Sequence, residues 1–282
     1  MSLTKREKTV VAILVALILV ALLTLGGLLA ERGTEKSSDS TPDTVETQAP
    51  SSDANPNHKE DFPVYAIDIN PYEDAIFTKE ARFLLLVNAQ NNIGTTIPDN
   101  IVQSSCTSEY SFASYSIHET ALKALAAMCL EAEASGIYGI DLTSAYRSYE
   151  KQSTLFNTYC EREMTKNPML SRKEAEAIVE TYSCRPGTSE HQTGLAVDLR
   201  LKGDDRTLLE ESFGDTEAGK WLAENCERFG FILRFPKDKT HITGIQYEPW
   251  HFRFVGYEAA NEMKKLGMCL EEYTAYLDGC EE

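Results

Sequence analysis

Two histidines, an aspartate and a glutamate fall in two short motifs of the C-terminal half of this chain. In PGTSEHQTGLAVDL, residues 186–199, His191 and Asp198 stand seven residues apart around Gly194. In YEPWHFRFVG, residues 247–256, Glu248 precedes His251 by three. Imidazoles and carboxylates are the groups that hold catalytic zinc, which takes three protein ligands and keeps a fourth position open. The protease pattern H-E-x-x-H, two histidines one helical turn apart, does not describe these motifs. Gly194 separates His191 from Asp198, and the Leu195-Ala-Val that follows favours a strand. A loop residue and a strand residue can still converge where the chain bends at Gly194. His251 would then be the third ligand, and Glu248 the general base that takes a proton from the attacking water. Pro249 keeps the second motif out of an ordinary helix interior. The same spacing also suits histidines that are merely hydrogen-bonded beside an apolar strand. His241, in KDKTHITGI, follows a lysine-rich turn without a carboxylate partner and reads as a surface residue.

The elements that must position these groups begin at about Phe62, where the sequence turns globular. Strand and helix patterns alternate irregularly, which predicts an α+β domain with a mixed or antiparallel sheet and flanking helices. ARFLLLVNAQN reads as a short strand ending in turn residues. Ser116-Ile-His118-Glu119 reads as a capping box opening a helix that ends near Gly136, with His118 solvated in its first turn. YGIDLTSAYRSYEKQSTLFN predicts a strand leading into a helix, and SRKEAEAIVETY a second helix opened by Ser171 with Glu174 three residues on. GLAVDLRL is a strand, TEAGKWLAENCERFG a helix, and FILRFP and HFRFVG two more strands. His191, Asp198 and His251 therefore sit at or beside strand ends.

The rest of the chain bounds the compartment. Lys5, Arg6 and Lys8 precede a run without charge from Thr9 to Ala30, which as a helix spans roughly 33 Å, enough for a bilayer core. The basic flank sets residues 1–8 in the cytoplasm and the remainder outside. A cleaved signal peptide is the competing reading and exports the remainder equally, although the apolar run is long for one. Residues 31–60 are rich in Ser, Thr, Asp, Glu and Pro and read as a disordered linker, His58 included. The domain is then residues 61–282. A formal net charge of −17 excludes a nucleic-acid surface. Seven cysteines suit an oxidising compartment; Cys129 and Cys226 fall on apolar helix faces, while Cys160 with Cys184 and Cys269 with Cys280 are the candidate local disulfides. No C-x-x-C pair occurs, which argues against a zinc ribbon or redox motif.

Taken together, LLLVNAQN, SAYRSYEKQ, SEHQTGLAVDL and RFGFILRFPKDKTHITGIQYEPWHFRFVG resemble the VanY-type D-alanyl-D-alanine carboxypeptidases, zinc peptidases of peptidoglycan related in fold to the metal-binding domain of hedgehog proteins. The resemblance runs from about Arg82 to Gly256. It implies that His191, Asp198 and His251 hold zinc and that Glu248 is the catalytic base. It also implies that Arg147 stands over the scissile carbonyl, where its guanidinium would stabilise the developing oxyanion. Ser148, Gln152 and Ser189 lie in the same motifs and are candidate substrate contacts. Trp250 reads as packing beneath His251 or as lining the pocket.

The resemblance implies a membrane-anchored extracellular enzyme that removes the terminal D-alanine of peptidoglycan stem peptides. Relatives differ between D,D-cleavage of pentapeptides and L,D-cleavage of tetrapeptides, and the metal motifs are common to both. A wall-binding module of the same fold is a further alternative, against which Glu248 and Arg147 count, since binding needs no general base. The segment TYCEREMTKNPMLSRKEAEAIVETYSCRPG, residues 158–187, departs from the family pattern and reads as a lid or as a packed helical linker. The tail after Gly256 lies outside the resemblance and carries no assigned role.

Overall fold

Side-chain alternation along short strands decides which face of the central sheet is dry. The computed structural model describes residues 63–106 and 110–280 of the chain. Six strands occur among them: β1 (Ile101–Gln103), β2 (Ser116–His118), β3 (Ile140–Ser144), β4 (Ala196–Leu201), β5 (Phe231–Leu233) and β6 (His251–Phe254). β1 and β2 form a hairpin-like pair, and the other four form one sheet in the order β3-β4-β6-β5, every pair antiparallel. Because successive side chains point to opposite faces, Val197 and Leu199 share a face with Phe252, Phe254 and Phe231, and all five are fully buried in one core cluster. Burying each such side chain contributes about 1.5–3 kcal/mol. The opposite face carries Asp198, His251 and Arg253. Polar chemistry thus sits on one side of the sheet because the apolar residues claim the other.

The helices are α1 (Glu73–Ile76), α2 (Glu119–Ala134), α3 (Tyr149–Lys166), α4 (Arg172–Val179), α5 (Glu217–Asn225), α6 (Thr240–Thr243), α7 (Tyr257–Leu266) and α8 (Leu270–Cys280). α2 lays Leu122, Leu125 and Met128 against the apolar face of the sheet. Ser148 caps α3 by accepting from Lys151 N, and Ser171 with Glu174 forms the expected capping box on α4. These two helices pack on each other around Phe156, Cys160, Ala175 and Val179, so the charged segment 158–187 is a helical pair with its own small core.

Several expectations are corrected. Leu84 to Val87 forms no strand; Ala81–Leu84 is a 3-10 turn, and the Phe83 and Leu85 carbonyls accept from Arg253 Nη2 instead of a neighbouring strand. Ser116 lies in β2 and does not cap α2. That role falls to His118, whose Nδ1 accepts from Thr120 N and whose ring is 3% exposed, not solvated. Cys160 and Cys184 are free thiols, as are Cys269 and Cys280. The second pair flanks α8, whose rise of about 1.5 Å per residue holds its ends much farther apart than the ~7 Å limit of a disulfide. The expected membrane span and linker, residues 9–30 and 31–60, lie outside the described residues; among those described, no helix is long and apolar enough to cross a membrane.

Glu131 of α2 anchors the segment that enters the domain. It is 3% exposed and accepts from Ala66 N, Ile67 N and Arg228 Nη2. Glu131→Gln removes the charge from this buried acceptor set and should cost about 1–3 kcal/mol in urea unfolding. An unchanged midpoint would show that the anchor contributes nothing to stability.

Candidate metal centre and active-site cleft

Strand register brings the two motifs together. Asp198 of β4 lies directly opposite His251 of β6. On its other side a bulge in β3 sets Ser144, and not the residue before it, beside Asp198. His191 sits in the 3-10 turn Glu190–Thr193, which ends at Gly194 with φ +73. A φ of +73 is a backbone that side chains with a Cβ rarely adopt, and a Cβ at Gly194 would also crowd Ile101 Cδ1 at 2.5 Å, so the bend that returns His191 to the sheet calls for glycine.

The donor set has the geometry a divalent metal requires. His191 Nε2 lies 3.1 Å from Asp198 Oδ2, and His251 Nδ1 lies 2.9 Å from Asp198 Oδ1. One ligating atom from each of the three residues falls within 4.8 Å of the others, and all three side chains are buried. His191 Nδ1 stands 2.7 Å from the Ala145 carbonyl, which can only accept, so that nitrogen carries the proton. Its Nε2 lone pair then faces a carboxylate oxygen. Two acceptors in contact are relieved by a cation between them, and the site fits a zinc ion on this ground. Burial lowers the pKa of His191, which keeps the ring neutral, as a ligand must be. Burial also opposes ionisation of Asp198, but His191 and His251 outweigh it and hold the carboxyl well below the usual range.

Glu248 stands at the rim of this cluster, its Oε2 3.8 Å from His251 Nδ1. Its backbone is fixed at both ends, N–H to the Phe235 carbonyl and C=O from His251 N–H. Burial, partly offset by His251 and Arg147, pushes its carboxyl up to about 8, with Asp198 and Glu190 adding to the rise. A carboxyl poised near neutrality can both take and return a proton. Arg147 donates from Nη1 to Gln152 Oε1 (2.7 Å) and from Nη2 to Ser144 Oγ (3.0 Å), with Nη2 3.8 Å from Asp198 Oδ2. Its own N–H donates to the His191 carbonyl at 3.0 Å, which ties the guanidinium to the metal-site turn.

The other expected site residues separate by role. Ser189 is 3% exposed and lines the cleft. Ser148 spends its hydroxyl on the cap of α3. Gln152 is fully buried, with its amide nitrogen donating to the Cys184 carbonyl at 2.6 Å and its oxygen taken by Arg147. Its place is behind Arg147. Trp250 both packs in the main core and lines the cleft, and His241 is exposed.

Around these groups opens a cleft of about 810 Å³ whose lining includes Tyr159, Tyr182, Leu209, Ile242 and Gln246. Beneath the site lies a network the motif reading missed. Glu190 accepts from Arg234 and Arg253, and Arg234 also pairs with Glu271 of α8. Its signal was present in HFRF, where an arginine two residues after a histidine must share its face of the sheet.

Two imidazoles and a carboxylate facing a cleft, with a second carboxyl and a guanidinium beside them, form the arrangement of a metallopeptidase. Comparison with known proteins narrows this. Residues 114–257 match the family described as VanY: D-alanyl-D-alanine carboxypeptidase. The chain is 46% identical over 142 residues to a D-alanyl-D-alanine carboxypeptidase of Enterococcus faecalis, covering 50% of this chain and 49% of that protein. VanYB, solved in complex with D-alanine-D-alanine, is 39% identical with a TM-score of 0.59, covering 69% of this chain and 98% of that one. A mutant of the vancomycin-resistance D,D-pentapeptidase VanY from a VanB-type cassette, solved with Zn(II), is also 39% identical, with a TM-score of 0.57 and coverage of 68% and 98%. The LD-carboxypeptidase LdcB, 36% identical, gives a TM-score of 0.57 over 67% of this chain and 84% of that one. The chain belongs to the VanY family. It spans about half the length of the curated relatives it matches.

Proposed function

We propose that this protein is a zinc-dependent D-alanyl-D-alanine carboxypeptidase that hydrolyses the terminal D-alanine from peptidoglycan stem peptides. The observation that carries the reading is the convergence of His191, Asp198 and His251 with Glu248 at the head of an 810 Å³ cleft. Held by the two imidazoles and Asp198, zinc supplies Lewis acidity to the scissile carbonyl and to water. Glu248, at the rim of the three ligands, takes the proton of the attacking water and returns it to the departing amine of D-alanine. Arg147, pinned by Gln152, Ser144 and the His191 carbonyl, presents N–H donors where the carbonyl oxygen becomes an anion. Ser189 in the cleft wall contacts the substrate. The Phe235 ring, 4.9 Å from that of His251, helps keep bulk water from the centre. A cleft of this size accommodates a peptide much longer than a dipeptide, which supports a stem peptide as substrate.

The N-terminal sequence supports a location for this activity. Basic Lys5, Arg6 and Lys8 ahead of the apolar run Thr9–Ala30 support a single-pass anchor with residues 61–282 outside the membrane. The polar stretch 31–60 is the tether that lets the domain sample wall near the membrane.

The test is D-alanine release from defined muropeptides by the full chain with added zinc. Release from pentapeptide, abolished by chelation and restored by zinc, is the expected result. Release from tetrapeptide alone would replace D,D- with L,D-specificity at the same centre. Zinc uptake without release from either substrate would defeat the carboxypeptidase reading.

A further inference from the structure

Glu190 takes no part in the chemistry above, yet its carboxylate is buried between two arginines. It is 3% exposed, and its two oxygens face different partners. Oε1 accepts from Arg234 Nε at 2.7 Å and from Arg253 Nη1 at 2.9 Å, and these arginines are 1% and 0% exposed. Oε2 is buried without a hydrogen bond and faces His251 Nε2 at 3.7 Å; that nitrogen is likewise buried without a partner. Buried polar atoms are almost always paired, and these two stand opposite each other across a gap only slightly longer than a hydrogen bond. The other ring nitrogen of His251, Nδ1, points the opposite way, to Asp198 and Glu248.

We propose that Glu190 is a positioning residue of the metal centre: it accepts the Nε2–H of His251 and thereby reserves Nδ1 as the nitrogen that binds the metal. The inference rests on the zinc reading above. Its logic is one of donors and acceptors. A carboxylate flanked by two guanidinium groups is an anion and can only accept, so the nitrogen that faces it must carry the proton. Between Asp198 and Glu190 both ring nitrogens face carboxylates; a metal held with Asp198 displaces the proton of Nδ1, and the ligating ring is then neutral with its remaining proton kept on Nε2 by Glu190. An uncharged amide in the same place would offer a donor as well as an acceptor and would satisfy either tautomer, including the one whose Nδ1–H blocks the metal. Outer carboxylates that fix a ligating histidine in this way are worth ~10–100-fold in metal affinity.

The network extends the claim to the C-terminal tail. Glu271 of α8 takes Arg234 Nη1 at 2.8 Å and Nη2 at 2.6 Å, and Asn88 Nδ2 donates to Glu271 at 3.2 Å. Arg234 thereby turns its Nε to Glu190. Two arginines and two glutamates balance in charge, so α8, beyond the family match that ends at residue 257, holds the orientation of a group beside the metal.

The test is zinc affinity of the full chain, measured by competition with a chromophoric chelator, which needs no peptide hydrolysis. Glu190→Gln is expected to weaken zinc binding by ~10–100-fold. Glu131→Gln, which also removes a buried carboxylate from an arginine but lies outside the cleft lining, serves as the control for general destabilisation and should bind as wild type does. Long-range ¹H–¹⁵N spectra of the zinc-loaded wild type provide a reading that needs no variant. They should show His251 metallated at Nδ1, with an exchange-protected downfield proton on Nε2. Wild-type affinity in Glu190→Gln, an equal loss in Glu131→Gln, or metallation at Nε2 overturns the positioning role alone. A wild-type chain that takes up no zinc overturns the zinc reading with it.

Discussion

Glu248→Gln should retain zinc binding while D-alanine release falls by about 10²–10⁴-fold, the usual worth of a positioned general base. Glutamine keeps the shape and the backbone links to Phe235 and His251 but cannot carry a proton between water and the leaving amine. The same substitution should stabilise the metal-free protein, and the sign follows from burial. The Glu248 carboxyl is raised to about 8, against ~4.3 in an unfolded chain. Between those values the unfolded state has released its proton and the folded state has not. Stability therefore falls as pH rises through that window, and glutamine removes the loss. Thermal unfolding of the metal-free variant and wild type at pH 5 and pH 8 should show an advantage for Glu248→Gln that grows with pH. Full activity in Glu248→Gln would assign proton transfer elsewhere.

The parts of this site legible in the sequence are those written in contiguous residues. SEHQTGLAVD carries a ligand, a glycine bend and a strand in ten positions, and the structure assembles them in that order, Gly194 at φ +73 returning His191 to the sheet. The helix built on Ser171 begins where its capping box places it, because a cap is satisfied within three residues of itself. The strands GLAVDLRL, FILRFP and HFRFVG were legible for a similar reason: alternation is local.

What was not legible depends on pairing between distant segments. LLLV has the composition of a strand, but its neighbour offers an arginine, not a ladder: the Phe83 and Leu85 carbonyls bond Arg253. His118 reads as a solvated first-turn residue until the pairing of β2 with β1 buries it. Glu190 lies inside a recognised motif, yet its partners come from elsewhere: Arg234 just after β5, Arg253 and His251 from β6, with Arg234 also paired to Glu271 on a helix further on. Each of those residues alone looks like surface charge. Only the register of the sheet, which stacks His251 and Arg253 on one face, and the Arg234 N–H bond to the His251 carbonyl that continues it, make them a buried set.

Arg147→Lys should cost about 10²–10³-fold in kcat, with a much smaller change in KM. The positive charge is kept, so a purely long-range electrostatic role predicts little loss. The structure argues for a geometric role. Nη1 is committed to Gln152 and Nη2 to Ser144, while the backbone N–H holds the His191 carbonyl. Three fixed points orient the guanidinium plane before substrate arrives, and a lysine ammonium on a flexible stem cannot meet both side-chain acceptors and still direct a donor at the oxyanion. Because the oxyanion exists only after water has attacked, the interaction is worth most in the transition state, which places the loss in kcat. Gln152→Ala acts through Arg147 and should give a smaller loss of the same kind, since Ser144 and the backbone link remain. Steady-state kinetics on pentapeptide distinguish the cases. A loss confined to KM would show that Arg147 binds the ground state, and the oxyanion would then be stabilised by the metal centre without it.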